Sequence, residues 1–378
     1  MNIERNNFKK IFFHIDKLYE YINTGDTYPI HMLVGLTDYC NHNCLWCYTA
    51  HSTHNRCILS NGDNLNSFHK KLNDRTIDPD VFLKFLFEAK NKGLKAVTIA
   101  GSGESLLHPD SAYIMQEIAK LKLDFGIFSN GQILNDEQLK VIAKHATFFR
   151  FSLDASDPMN YKQLHGDSAN FDQTIENIKS LLIDRNNLRK PLPTIGAQFL
   201  LSHLNVDYVI SFTKLMQRLG IDYVNIRPLF YNPINVDRVK NKLSIDIALN
   251  KLKEAKQCET KNFIVYDKGG EQFQSGWGKQ QFNEANSYQK CMSHQFSPAL
   301  FANGNIYICS SLAGYKEFIM GNIYKSSLKE IWSSNQRQNA IASIDLHKKC
   351  PVRCQFDPLN KIIWGITNPS PESHPNFI

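Results

Sequence analysis

The sequence predicts an α/β chain organised around a parallel sheet, and three observations carry that prediction. Extended and helical segments alternate from about residue 31 to residue 227, six of the former with five of the latter between them. The helical segments are bounded by capping residues and terminal glycines. The rhythm then stops, and four of the nine cysteines fall between 291 and 354. Six repeats are fewer than the eight of a closed α/β barrel, so a partial barrel and an open doubly wound sheet are the candidates. In both, chemistry collects at the C-terminal ends of the strands. A length of 378 residues suits two domains, or one large domain with an appendage.

Residues 1–30 form an N-terminal extension whose apolar residues Phe8, Ile11, Phe12, Ile15, Leu18, Tyr19 and Ile22 recur at helical spacing. A first strand, 31–37, runs directly into a cysteine cluster. The helix over 79–92 has Asp78 to cap it, Pro79 for its first turn and Gly93 at its end. Strand 96–100 leads to helix 110–121, strand 125–129 to helix 136–145, and strand 148–153 to helix 171–184. Strand 194–201, helix 207–219 with Gly220 behind it, and strand 223–227 complete a unit spanning 31–230. The connecting segment 231–290 is mixed and polar, with one helix near 244–257. The last unit, 291–378, ends in a proline-rich tail that reads as irregular.

Composition removes several classes of function. Apolar residues make up 42% and aromatics 11%, ordinary for a globular chain. No apolar run reaches the roughly 18–20 residues of a membrane span. The N-terminal apolar run, 11–13, is too short for a secretory signal and charges follow it at once. Forty-three Lys and Arg against thirty-six Asp and Glu give a net charge of +7, but the basic residues are scattered. That argues against nucleic acid as a partner while permitting a phosphorylated one. The cysteines lie at 40, 44, 47, 57, 258, 291, 309, 350 and 354, an odd and clustered set. It suits metal binding or catalysis in a cytoplasmic chain better than a disulfide framework.

Cys40, Cys44 and Cys47 follow a strand end at x3 and x2 spacing. Three thiolates can hold three irons of a 4Fe–4S cube and leave the fourth open for a substrate or cofactor. On spacing alone a structural zinc site is an alternative, with Cys57 as a fourth thiolate. His42 and His51 are nearby and read as polar loop residues.

Cys40-x3-Cys44-x-Trp46-Cys47 after the first strand of a βα repeat resembles the signature of the radical S-adenosylmethionine (radical SAM) enzymes. The ends of the following strands are also similar to that family. Gly101-Ser102-Gly103-Glu104-Ser105 resembles its Gly-Gly-Glu segment, with Ser102 in place of the first Gly and Ser105 in place of the usual Pro. Ser129-Asn130-Gly131 resembles Thr-Asn-Gly, and Ser152-Leu153-Asp154-Ala155 resembles Ser-x-Asp. His165, before Gly166, stands where relatives often carry an Arg that meets the cofactor carboxylate. The resemblance implies a partial (β/α)6 TIM-like barrel. It implies a 4Fe–4S cluster on Cys40, Cys44 and Cys47, and S-adenosylmethionine contacts from Trp46, Ser102, Gly103, Glu104, Asn130, Ser152, Asp154 and His165. Arg227, at the end of the sixth strand, joins this set as a candidate for holding a carboxylate or phosphate.

Cys291, the Gly304-x4-Cys309 segment, Gly321-Asn322-Ile323, Leu328-x-x-Ile331-Trp332 and the Cys350-x3-Cys354 pair resemble the C-terminal extension of SPASM and twitch enzymes. Four cysteines rather than about seven suit the shorter twitch-like form. The resemblance implies a small α+β domain with one auxiliary 4Fe–4S cluster on Cys291, Cys309, Cys350 and Cys354, a four-cysteine zinc site being the alternative.

In this family an electron from a reductant such as flavodoxin or ferredoxin cleaves S-adenosylmethionine to a 5′-deoxyadenosyl radical, which takes hydrogen from an unactivated C–H bond. The auxiliary cluster suggests dehydrogenation of an alcohol. The short N-terminal extension leaves no room for a leader-binding module, which points to a small polar substrate: a sugar, an aminocyclitol or a nucleotide-linked sugar. The alternative is an epimerase or peptide-modifying enzyme (RiPP maturation), in which Cys258 or Cys57 would act as a hydrogen-atom donor. His108 is read as a residue that caps the next helix rather than as a base.

Overall fold

A computed structural model describes residues 8–47, 57–58, 75–229, 243–267, 288–346, 350, 354–370, 372, 374 and 376. Seven parallel strands lie side by side in one sheet: β1 (His31–Val34), β4 (Ala96–Ile99), β5 (Asp124–Ser129), β6 (Phe148–Ser152), β7 (Thr194–Leu201), β8 (Tyr223–Pro228) and β9 (Ile264–Asp267). β2 (Tyr39–Cys40) and β3 (Cys57–Ile58) form a separate parallel pair. On the other side of β1 the sheet continues through β10 (Ala299–Leu300), β11 (Asn305–Tyr307) and β12 (Ile319–Asn322). The sheet order is β12-β11-β10-β1-β4-β5-β6-β7-β8-β9, with an edge at each end, so the barrel is partial.

The helices are α1 (Ile15–Thr24), α2 (Pro79–Asn91), α3 (Ser111–Lys120), α4 (Asp136–His145), α5 (Pro158–His165), α6 (Phe171–Asn187), α7 (Val209–Leu219), α8 (Ile245–Lys256), α9 (Leu328–Trp332), α10 (Asn335–Ala342) and α11 (Asp357–Thr367). Local chemistry fixes their starts. The Asp78 side chain accepts from Val81 N, with Pro79 in the first turn of α2. Asn135 and Gln138 form a reciprocal capping box on α4.

Side chains alternate across each strand and sort the sheet into two faces. Ile127, Phe149, Phe151, Ile195, Phe199, Val224 and Ile226 are fully buried and share one core with Phe82, Leu86, Ile178, Phe212 and Met216 of the helices. Each such side chain contributes about 1.5–3 kcal/mol of burial. The other face, carrying Phe128, Arg150, Ser152, Gln198, Leu200, Arg227 and Tyr266, is only partly covered and lines the inside of the half-barrel.

Four features differ from the sequence reading. β9 adds a seventh parallel strand, paired with β8 from Tyr223↔Ile264 to Ile226↔Asp267; four residues among polar neighbours gave it no pattern of its own. α5 precedes α6, where only one helix was expected. The C-terminal hairpin joins the barrel sheet, with Leu33↔Ala299 and Val34↔Leu300 in parallel register. The N-terminal extension is a 3-10 helix, Phe8–His14, followed by α1. His14 lies off helical geometry at φ −128°, and the break divides the apolar stripe. Ile11, Leu18 and Tyr21 are buried, while Phe12, Ile15, Tyr19 and Ile22 are exposed.

The buried part of that stripe packs with Met292, Phe296, Leu359 and Ile363 in a second core around the C-terminal cysteines. Arg337 fastens the two chain ends together. Its guanidinium donates to both Asp26 oxygens at 3.0 and 2.5 Å, to Gln295 Oε1 and to Trp332 O.

His31 ties β1 to β4 and to the segment entering β10. Its Nδ1 lies 2.8 Å from Ser297 Oγ and its Nε2 2.8 Å from Thr98 Oγ1. Desolvation pushes its pKa from 6.5 down to about 4, so the fold holds it neutral. A depressed histidine stabilises fully above the unfolded value of 6.5 and loses that contribution as pH falls towards about 4. Denaturant melts are expected to show wild type losing about 3 kcal/mol more than His31→Gln protein across that window. Equal losses in the two proteins would contradict this.

Candidate functional site

The first cysteine loop is clamped by the loop after β4. Gly103 packs so closely that an added Cβ would lie 2.2 Å from Tyr39 O and 2.6 Å from Thr37 O. Glu104 N donates to Tyr39 O at 2.7 Å. Ser102 Oγ donates to the Asp38 carboxylate, and Leu36 N donates to Ser105 Oγ at 3.3 Å. The two serines that depart from the family's Gly and Pro therefore both bond the segment leading to Cys40.

Glu104 then links β4 to β5. Its buried carboxylate accepts from Asn130 N at 2.7 Å, Ser129 Oγ at 2.9 Å and Leu106 N at 3.2 Å. Asn130 Nδ2 donates onward to Asn41 Oδ1 at 2.8 Å, beside Cys40. Three strand ends are thus fixed by one chain of hydrogen bonds around a carboxylate.

Cys44 and Trp46 are held from the other side. Asn43 N donates to His165 O and Leu45 N to Leu164 O, which lays the loop along the end of α5. His165 is buried. Its Nε2 lies 2.9 Å from Leu153 O and its Nδ1 3.1 Å from Cys44 Sγ. Burial pushes its pKa down to about 3. Asp154, in the left-handed region at φ +58°, turns its carboxylate inward to Leu200 N at 2.6 Å and to the Trp46 side chain. Burial raises its pKa to about 7. Trp46, Asp154 and His165 thus form one buried knot under the cysteine loop. His42 joins this group, its ring 5.5 Å from that of His165.

Ser152 and Arg227 lie on the inner face of the half-barrel, Arg227 towards its far edge. His108 bridges Ile77 O and Asp110 N, which matches its reading as a structural residue. Cys258 follows the C-terminal end of α8 and precedes β9. That is the rim opposite the strand C-termini, so the structure does not bring it together with the cysteine loop. The β3 backbone of Cys57 runs beside β2 in register with Tyr39; its side chain, like His51, lies outside the described residues.

Cys291, Cys309, Cys350 and Cys354 are free thiols that lie near enough to act on one another electrostatically. Burial raises the Cys309 pKa to about 12, and Cys291 and Cys350 raise it further. Cys350 is likewise raised to about 12, by burial and then by Cys291 and Cys354. Cys354 is raised by burial, Cys309 and Cys291. N–H donors already face these sulfurs: Leu312 and Ser311 on Cys309, and Phe356 on Cys354 at 3.4 Å. Four free thiols, of which Cys309, Cys350 and Cys354 resist ionisation alone, with N–H groups aimed at Cys309 and Cys354, fit a closed iron–sulfur cluster. The three-thiol loop, fixed on both flanks, fits a cluster with an open iron. Sequence reasoning missed the Arg337 fastening and the knot on Asp154, whose partners are distant in sequence.

No described helix is long and apolar enough to cross a membrane. Residues 34–182 match the radical SAM superfamily, and residues 291–355 match an iron–sulfur cluster-binding domain, SPASM. A tungsten-containing aldehyde ferredoxin oxidoreductase cofactor-modifying protein of Pyrococcus furiosus is 30% identical over 165 residues, 42% of this chain. The chain spans 46% of that relative's length. SuiB of Streptococcus suis, solved with its precursor peptide SuiA, shares the fold with a TM-score of 0.64 at 17% identity, over 96% of this chain and 80% of SuiB. The protein anSMEcpe, solved with AdoMet and the Cp18Cys peptide, does so with a TM-score of 0.58 at 14% identity, over 88% of each chain. Both matched segments coincide with the two thiol sets, and the cofactors they take are S-adenosylmethionine and iron–sulfur clusters. The chain belongs to the radical SAM superfamily and carries a C-terminal SPASM-type iron–sulfur domain.

Proposed function

We propose that the protein is a radical SAM oxidoreductase that modifies a C–H bond of a peptide substrate. The observation that carries the oxidoreductase reading is a second set of four free thiols in the unit whose hairpin is bonded directly to β1, three of them raised in pKa by desolvation and by one another. Leu33 N donates to Pro298 O and Gly35 N to Leu300 O, so the strand that leads to Cys40 is bonded to the hairpin that leads to Cys309. When bound, S-adenosylmethionine and the first cluster supply a hydrogen-abstracting radical, and a cluster on the second set supplies a one-electron carrier. The knots on Glu104 and Asp154 hold the first loop in place. A flavodoxin or ferredoxin would supply the electron. The peptide reading is supported by the extent of fold shared with proteins solved with peptides bound. The sugar, aminocyclitol or nucleotide-linked sugar expected from the sequence has no such support.

The test is anaerobic incubation of reconstituted protein with S-adenosylmethionine, dithionite and peptides encoded beside its gene. A product lighter by two hydrogens, one 5′-deoxyadenosine per product and no deuterium from heavy water are expected. Deuterium in an otherwise unaltered product would favour epimerisation. Oxidation of a sugar phosphate with every peptide untouched would overturn the peptide reading.

A further inference from the structure

The inner face of the half-barrel carries a polar group that the cysteine loops do not use. Gln198, Asn225 and Tyr266 are consecutive partners across β7, β8 and β9, and Arg227 sits one inward-facing position further along β8, opposite Leu200. Asn225 is 2% exposed, and its Oδ1 has no hydrogen-bond partner. Gln198 Oε1 is also buried without one. The Arg227 side chain forms no ion pair or hydrogen bond among the described residues, and its Nε is buried and unpartnered. Desolvation pushes its pKa down, as expected of a guanidinium with no counter-charge. Buried polar groups are ordinarily bonded, and an unpaired buried charge weakens the fold. A cation and two orphaned acceptors on adjacent strands therefore describe a site that lacks its ligand.

The group continues along the sheet from the residues that hold the first cluster loop. Cys40, Glu104, Asn130 and His165 are gathered at the ends of β4, β5 and β6. Gln198 adjoins them, pairing with Ser152 and accepting from Asp154 N through its backbone oxygen, and Asn225 and Arg227 stand one strand further along the sheet.

We propose that Arg227, Gln198 and Asn225 form the substrate clamp, binding an oxyanion through the guanidinium and an adjacent N–H or O–H donor through the two amide oxygens. The guanidinium fork matches carboxylate and phosphate equally, so either can supply the oxyanion. The clamp rests on the reading that substrate enters the cup, and it adds the chemical class of that substrate.

Ligand-observed NMR on the reconstituted, S-adenosylmethionine-bound protein tests this with three probes. N-acetylglycine offers a carboxylate next to an N–H, glycerol 3-phosphate a phosphate near an O–H, and acetate a carboxylate alone. One of the first two is expected to bind saturably, about tenfold or more tighter than acetate, one good hydrogen bond to a buried partner being worth about that factor. Arg227→Met is expected to weaken the preferred probe at least about tenfold, and to weaken S-adenosylmethionine less. Asn225→Leu is expected to remove the preference over acetate. Since the Arg227 guanidinium has no ion-pair partner among the described residues, Arg227→Met is expected to melt no lower than wild type, which a structural arginine would not allow. The proposal is overturned if neither probe binds saturably, if Arg227→Met weakens S-adenosylmethionine rather than the probe, or if it lowers Tm. The same samples are assayed for 5′-deoxyadenosine. Cleavage without probe binding defeats the clamp alone, and probe binding without cleavage defeats the function reading alone.

Discussion

A Gly103→Ala protein is expected to hold about half the iron of wild type, the first of two four-iron clusters being lost. Its reductive cleavage of S-adenosylmethionine is expected to fall by about 10² or more, the scale of effect of a misplacement near 1 Å. The reason is local. The new methyl would lie 2.2 Å from Tyr39 O and 2.6 Å from both Asp38 C and Thr37 O. All three are backbone atoms that no rotamer change can move, and they immediately precede Cys40. Relief requires shifting the strand that presents the first thiol or breaking the Glu104 N bond to Tyr39 O. Overpacking of this kind costs about 1–3 kcal/mol, so the protein should still fold. Gly365→Ala is the control, because nothing lies within 4 Å of its added methyl. Iron content and 5′-deoxyadenosine yield, measured on both, decide the matter. Full iron in Gly103→Ala protein would show that the loop tolerates displacement.

A Cys354→Ala protein is expected to separate cofactor cleavage from product formation. Cys354 belongs to the C-terminal thiol set, where its neighbours Cys309 and Cys291 raise its pKa. The first loop is held by Glu104, Asp154 and α5, none of which touches Cys354. Iron should therefore drop by about four per chain, 5′-deoxyadenosine should still form, and oxidised product should disappear. Tm should fall as well, because a metal bound only by the folded state stabilises it. Cys258→Ala is the comparison: at the opposite rim of the barrel, it is expected to change none of these. Blocked turnover in Cys258→Ala protein would restore the thiol-quenching, epimerase reading.

The sequence made the chain of βα units legible because each unit is written locally. Asp78-Pro79 and Asn135-x-x-Gln138 announce helix starts, and aromatic-rich alternating runs such as Phe148–Ser152 announce strands. The cysteine sets were legible from spacing. What stayed hidden depends on distant partners. β9 is four residues long and is a strand only because β8 offers it a parallel edge. The C-terminal hairpin pairs with β1 across more than 260 residues, which no periodicity encodes. Ser102 and Ser105 looked like departures from a motif until their bonds to Asp38 and Leu36 were visible. The bonds from Asp154 to Trp46 and from His165 to Cys44 were hidden in the same way.

Iron and acid-labile sulfide per chain, after anaerobic reconstitution of wild type and of a Cys40→Ala/Cys44→Ala/Cys47→Ala variant, test the two-cluster assignment most directly. About eight irons in wild type falling to about four in the variant is the expected result. About four irons falling to none, or zinc in place of iron at the C-terminal thiols, would contradict it and remove the electron carrier on which the oxidoreductase reading depends.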